Sequence, residues 1–297
     1  MASHTVRIPD YLQGRIIDMH AHFFPEQLFA SIWEWFAARM WKINYQDDPD
    51  GLARTLESFG VERFVTYNYA HKPGIAAELN RWTAEFAARN PSALPFATVF
   101  PGDEGNVAML VELFDEHGFL GIKIQPLVSD FYPDDERMRP VYRLLVERGK
   151  ILAAHAGTAP VANQYVGADH FEPVMREFPE MKVIVAHMGA FEFDRFFAMA
   201  RACPNVYLDT SVNFIDRGLM DDLISRGEFP PLALPGAEHY DHGVLLELSD
   251  RILFGSDFPN IPYDYEACIE SVLALDLGEE FNRAVFGGNA RKLVGID

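Results

Sequence analysis

The chain has 297 residues, with 44 acidic against 25 basic side chains and a net charge of −19. That surplus repels nucleic acid and anionic membrane surfaces, so neither is an expected partner, and no run approaches the roughly 18 apolar residues of a membrane span. With 49% hydrophobic and 23% charged residues the composition is that of a folded, soluble protein, and a start without an apolar leader segment, with two cysteines outside any CxxC spacing, leads us to expect a cytoplasmic one.

Short apolar runs recur along the chain, each followed by turn residues and a helical pattern. They predict strands at Ile16–Phe23, Val61–Tyr69, Leu94–Phe100, Gly121–Leu127, Ile151–Ala156, Lys182–Met188, Val206–Ser211 and Ile252–Asp257. Between them, Ala76–Arg89, Asn106–His117, Pro140–Arg148 and Tyr263–Leu275 space apolar residues three and four apart, as one buried helix face requires. Asn90-Pro91, Gly118 and Gly149 supply helix stops. Strict strand–helix alternation implies a parallel sheet, and eight such units in about 250–300 residues suit a closed (β/α)8 barrel. An open doubly wound sheet would call for a Gly-rich phosphate turn, and no G-x-G-x-x-G occurs. With no linker or shift in composition, one domain over residues 1–297 is expected. Two connections are long, Pro25–Asp50 and Asn213–Ser249, and both would overhang the face where barrel active sites lie. The first carries Trp33, Trp35, Phe36, Trp41 and Tyr45, which serve either as helix packing or as a lid or aromatic substrate wall.

Chemistry concentrates where the apolar runs stop. The first ends in Asp-Met-His-Ala-His, Asp18 to His22. Alternate strand residues share a face, which places His20 and His22 together, about 6.7 Å apart along the chain. The fifth run ends in His155 (AHAG), the sixth in His187 (AHMG) and the eighth in Asp257 (GSDFP). One such histidine is ordinarily a satisfied core or capping residue. Four histidines and a carboxylate buried at strand ends would cost several kcal/mol in desolvation, and a metal ion removes that penalty, so a metal site is expected. His117 reads as a helix C-terminal residue, His4 and His170 have no evident partner, and His239 and His242 read as loop residues of the long seventh connection.

The phrases DMHAH, AHAG, AHMG and GSDFP, with Gly287-Gly288-Asn289-Ala290-Arg291 near the C-terminus, resemble the amidohydrolase superfamily. They are most similar to its amidohydrolase-related branch, which includes the aminocarboxymuconate-semialdehyde decarboxylase-like enzymes. The resemblance runs over nearly the whole chain and implies a (β/α)8 barrel. It also implies that His20, His22, His155 and Asp257 ligate a divalent metal, while His187 serves catalysis instead of, or beside, ligation. The donor set suits one zinc ion, with manganese or a second ion as alternatives. Lys123 and Gln125 share a face of the fourth strand, and Gln125 stands where the branch often has histidine. Lys123 then either binds an anionic substrate group unmodified or, carbamylated, bridges two ions. His71-Lys72 offers a further cationic contact or only a polar loop start.

The chemistry implied first is hydrolysis of an amide, ester or lactone. In it Asp257 takes a proton from an activated water and His187 stabilises the developing oxyanion. Non-oxidative decarboxylation of an aromatic or unsaturated carboxylate is the alternative on the same residues, and a catalytically inactive ligand-binding barrel is the third reading. The aromatic first connection with Lys72 and Lys123 suggests a small, planar, anionic substrate. A homodimer is a family-level expectation.

Overall fold

The computed structural model describes residues 8–231 and 240–296. His4 and His239 lie outside the described residues. Eight parallel strands run in one sheet in the order β1 to β8: Ile16–Asp18, Val61–Thr66, Ala93–Thr98, Gly121–Ile124, Ile151–Ala154, Lys182–Val185, Val206–Asp209 and Ile252–Leu253. Helices intervene, and the fold is a (β/α)8 barrel. Among the described residues no helix is long and apolar enough to cross a membrane. The contacts divide the chain into two compact units, one ending at Phe64 and resuming at Thr210, the other spanning Val65–Asp209.

In the first unit, β1 pairs with β2, Ile16 opposite Val61 and Asp18 opposite Phe64. The chain beyond β1 then runs along the extension of β8: Met19 N–H donates to Phe254 O at 2.8 Å, and His22 N–H to Phe258 O at 2.7 Å. These bonds close the barrel between its first and last strands. The Gly-Gly-Asn-Ala-Arg phrase secures this seam. A Cβ on Gly287 would lie 2.4 Å from Arg15 O, so only glycine permits that approach. Asn289 Nδ2 donates to Ser249 O and Ile252 O at the foot of β8, and Arg291 pairs with Glu62 of β2. Much of the aromatic first connection is packing. Trp41 stacks on Phe229 at 4.9 Å and donates from Nε1 to Asn260 O, and the Tyr45 hydroxyl accepts from Tyr265 N–H. Helix Glu26–Arg39 buries only Phe29 and leaves Trp35 47% exposed.

In the second unit, β3 to β7 form continuous parallel ladders, with Phe96 opposite Gly121, Gly121 opposite Ile151, Ile151 opposite Lys182 and Val183 opposite Val206. These strands are almost wholly buried, which is why they read as unbroken apolar runs instead of alternating ones. Helix Ala76–Arg89 has the bounds its periodicity predicts. Its Asn80 is buried and pairs both amide atoms with the backbone N–H and carbonyl of Thr98. Gly149 ends helix Arg139–Glu147 in a left-handed turn, φ 61°. Cys203 and Cys268 are both free, each at a helix, as packing residues would be.

The observed strands end earlier than the apolar runs suggest. β8 has two residues where Ile252–Asp257 was predicted, and β4 stops at Ile124 because Pro126–Ser129 turns into a helix. Hydrophobicity persists past each ladder because those residues remain buried, although their backbone has left the strand.

Candidate metal centre

His20 and His22 follow β1 where its continuation bonds to the β8 extension, and Ala21 between them bridges to Phe258. Both imidazoles are buried on one side with their Nε2 atoms 3.2 Å apart, so the shared face read from their spacing is present beyond the regular strand. Asp257 Oδ1 reaches the same point, 3.0 Å from His22 Nε2 and 3.4 Å from His20 Nε2. Asp257 gets there from a left-handed backbone, φ 67°, with its N–H held by the His20 carbonyl at 2.8 Å. Such a conformation costs a non-glycine residue about 1–3 kcal/mol and persists where surrounding bonds over-determine it.

Two imidazole nitrogens and a carboxylate oxygen cannot all aim lone pairs at one point unless a proton or cation lies among them. A divalent ion fits this donor set. The tautomer agrees. His20 Nδ1 lies 3.1 Å from the buried Ser211 hydroxyl. With Nδ1–H donating to Ser211, Nε2 keeps its lone pair for an ion, the usual arrangement behind a ligating histidine.

Asp18, the first residue of the DMHAH phrase, is not one of the converging donors. Its carboxylate is fully buried and accepts four hydrogen bonds: His20 N–H at 3.0 Å, Ser256 N–H at 3.2 Å, Ser256 Oγ at 2.6 Å and the Tyr265 hydroxyl at 3.0 Å. Burial pushes its carboxyl up to about 7, while all four donors favour the anion. One carboxylate thus grips both the segment bearing His20 and His22 and the segment bearing Asp257. Burial and the Asp18 charge raise the Tyr265 hydroxyl well above its ordinary value, so Tyr265 stays a donor.

In the second unit, His155 and His187 follow β5 and β6 with ring centroids 5.0 Å apart in an edge-on contact. Each precedes a glycine by two residues. A Cβ on Gly157 would lie 2.4 Å from Ala190 O, and one on Gly189 would lie 2.0 Å from the Phe196 ring. Gly157 therefore lets the two turns meet backbone to backbone, and Gly189 lets its turn pack against the Phe196 ring. His187 and Met188 are left-handed, φ 55° and 53°, and His187 N–H donates to Asp209 Oδ1 at the end of β7. His155 Nε2 lies 2.7 Å from Ala159 O. A carbonyl only accepts, so Nε2 carries the proton, and an ion could take only Nδ1 without breaking this bond. Lys123 is 1% exposed within β4, with Nζ 4.9 Å over the Tyr67 ring. His71 and Lys72 are exposed, and partial burial with the Lys72 charge holds His71 below its usual value.

His20, His22 and Asp257 are brought together within the first unit, and His155 and His187 within the second. Sequence reasoning passed over Asp18, Ser211, Ser256, Tyr265 and Asp209. For Asp18 and Asp209 a signal was present, since each is a carboxylate closing an apolar run. Ser211 and Tyr265 give none, because a serine or tyrosine beside a strand end has no distinguishing pattern.

The amidohydrolase profile matches residues 17–296. A 6-methylsalicylic acid decarboxylase from Penicillium expansum is 22% identical over 93% of this chain and 95% of its own length. Among solved structures, an uncharacterised TIM-barrel protein from Bordetella bronchiseptica matches with a TM-score of 0.70 and 20% identity, over 94% of this chain and 98% of that one. A dihydroxybenzoic acid decarboxylase from Polaromonas, solved with manganese and the inhibitor 2-nitroresorcinol, matches with a TM-score of 0.65 and 18% identity, over 95% and 97%. At these identities the structures speak for the fold. The profile match, running from β1 to the final helix through every strand-end phrase described above, shows that the chain belongs to the amidohydrolase family.

Proposed function

We propose that this enzyme is a metal-dependent decarboxylase that releases the carboxyl group of a small hydroxylated aromatic acid as carbon dioxide. The observation that carries the reading is the convergence of His20 Nε2, His22 Nε2 and Asp257 Oδ1 within 3.4 Å. It occurs in a chain similar over nearly its full length to 6-methylsalicylic acid decarboxylase. The sequence alone puts hydrolysis first, and the reaction of that relative moves decarboxylation ahead of it.

His20, His22 and Asp257 would hold a divalent ion, and the family resemblance assigns His155, which follows β5, as a fourth ligand. The ion, zinc or the manganese seen in the Polaromonas protein, would supply Lewis-acid neutralisation of the substrate's oxygens. In the reaction the bond between ring carbon and carboxyl carbon breaks, carbon dioxide leaves, and the electron pair stays on the ring carbon. Asp257 takes up a proton from solvent and passes it to that ring carbon, where it replaces the carboxyl group. His187 donates a hydrogen bond to a substrate oxygen on which charge develops. Lys123, unmodified, anchors the anionic group, and its seat over Tyr67 limits the side chain's freedom. Hydrolysis on the same residues would have Asp257 activate water instead.

The test begins with elemental analysis, which should find one divalent ion per chain. The metal-replete enzyme is then given 6-methylsalicylate and 2,6-dihydroxybenzoate, with carbon dioxide as readout, and separately esters and lactones, with acid release as readout. Carbon dioxide from the aromatic acids supports the reading. Acid from the esters or lactones without carbon dioxide from the first set would replace it with a hydrolase.

A further inference from the structure

Asn213 stands in the connection after β7, two residues beyond Ser211, whose hydroxyl touches His20. Two residues span at most about 7 Å of chain, so this amide stands on the same short turn as the hydroxyl that contacts His20. It is 5% exposed. The Tyr240 hydroxyl donates to Asn213 Oδ1 at 2.6 Å, and the Tyr240 ring packs edge-on against Phe214 at 4.5 Å. Those contacts fix which way the amide faces. Its other end, Nδ2, carries two N–H donors and has no hydrogen-bond partner among the described residues.

The backbone on either side is bent. Val212 and Phe214 are both left-handed, φ 63° and 65°, and a β-branched residue rarely accepts that region. Strain of this kind clusters where the placement of one side chain matters. A buried amide donor that the described residues leave unanswered, oriented by a tyrosine and held on a strained turn, is suited to an acceptor that arrives with the substrate. An amide also fits the chemistry of an anionic ligand in a chain of net charge −19. It donates at every pH, and it adds no negative charge to repel the acid.

We propose that Asn213 binds the substrate, donating from Nδ2 to a carboxylate or phenolate oxygen of the aromatic acid. The proposal rests on the aromatic-acid reading above.

The test uses the metal-replete protein with salicylate as probe, and binding is followed by tryptophan fluorescence or calorimetry. Asn213→Ala should weaken salicylate ten- to a hundredfold, the loss expected for a hydrogen bond to a charged acceptor. Asn213→Asp, nearly identical in shape, should weaken it further by placing a carboxylate against the anion. Tyr240→Phe should fall between wild type and Asn213→Ala, because the donor remains and only its orientation is lost. Metal content should be unchanged in all three. Benzoate identifies the oxygen: a loss shared with salicylate assigns the carboxylate, and a loss confined to salicylate assigns the phenolate. Wild-type affinity in Asn213→Ala or Asn213→Asp would overturn the proposal alone, as would a loss of metal matching the loss of salicylate. Wild-type protein that holds its metal yet binds none of these acids would overturn the aromatic-acid reading and Asn213's role with it.

Discussion

Gly157→Ala is a one-carbon change whose cost follows from the structure. The new Cβ would sit 2.4 Å from both Ala190 O and the Gly189 carbonyl carbon, where real Cβ contacts essentially never fall below 3.0 Å. Both obstacles are backbone, so no side chain can swing aside, and one turn must retreat by several tenths of an ångström. Overpacking of this kind costs about 1–3 kcal/mol. Gly189→Ala meets the buried Phe196 ring at 2.0 Å and also forces alanine to φ 77°. The backbone adds about 1–2 kcal/mol, for a total of about 2–5 kcal/mol. Gly118→Ala is the control: its φ of 67° carries the conformational cost, but nothing lies within 4 Å of the added carbon. Each kcal/mol lowers the melting temperature by about 2–4 °C in chains of 150–250 residues, and this longer one belongs at the low end. Melting curves recorded with chelator should rank Gly189→Ala as the least stable. Turnover separates the mechanisms, because only Gly157→Ala and Gly189→Ala move the turns that carry His155 and His187, which touch at 5.0 Å. Gly118→Ala should keep its activity. A Gly157→Ala enzyme with wild-type melting and turnover would refute the close backbone approach.

Asp18→Asn replaces one of the two accepting oxygens with an NH2 donor, so either the His20 and Ser256 N–H groups or the Ser256 and Tyr265 hydroxyls lose their acceptor, and Ser211→Ala releases His20 Nδ1. Each should weaken the metal by about 10- to 100-fold in chelator competition, and cobalt-substituted protein should show shifted visible bands. His187→Asn should retain the metal while losing turnover; metal loss equal to that of His20→Ala would make His187 a ligand. Lys123→Met should raise KM for an aromatic acid by about 10- to 100-fold, the range of a lost charge-assisted bond, with metal stoichiometry unchanged. Two ions per wild-type chain would instead point to a carbamylated, bridging lysine.

Much of the fold was legible because each buried parallel strand reads as a short apolar run and each helix as a three–four pattern. Ala76–Arg89 shows the pattern at its clearest, since exposure alternates along its length as the apolar spacing demands. Strand ends were less legible. The apolar signal reports burial, and burial continues through Phe254, Gly255 and Ser256 after the β8 ladder has stopped at Leu253. The left-handed turn at Val212 left no trace, because a β-branched residue disfavours positive φ, and at His187 and Asp257 the enrichment of those residue types there is too weak a signal to read. His20, His22 and Asp257 were legible as residue types that ligate metals. Ser211 and Asn213 were not, since their role depends on which atoms face them.

The position of the donors past the ladder bears on how the centre works. A regular strand alternates its faces, whereas the carboxylate that lies 3.0 Å from His22 Nε2 comes from a chain that has changed direction beyond the β8 ladder. The left-handed step at Asp257 supplies that change. It also frees backbone groups that a ladder would have satisfied, and these are taken up locally: Asp257 N–H by His20 O, and His20 N–H and Ser256 N–H by the Asp18 carboxylate. The bonds that compensate the broken ladder are therefore the same bonds that fix the donors. Asp18 is the shared point, a single carboxyl group holding both donor segments in register. Substitution there should disturb His20, His22 and Asp257 together, so that Asp18→Asn and Ser256→Ala combined lose little more metal affinity than Asp18→Asn alone. Losses that simply multiplied would mean that the two segments are held independently.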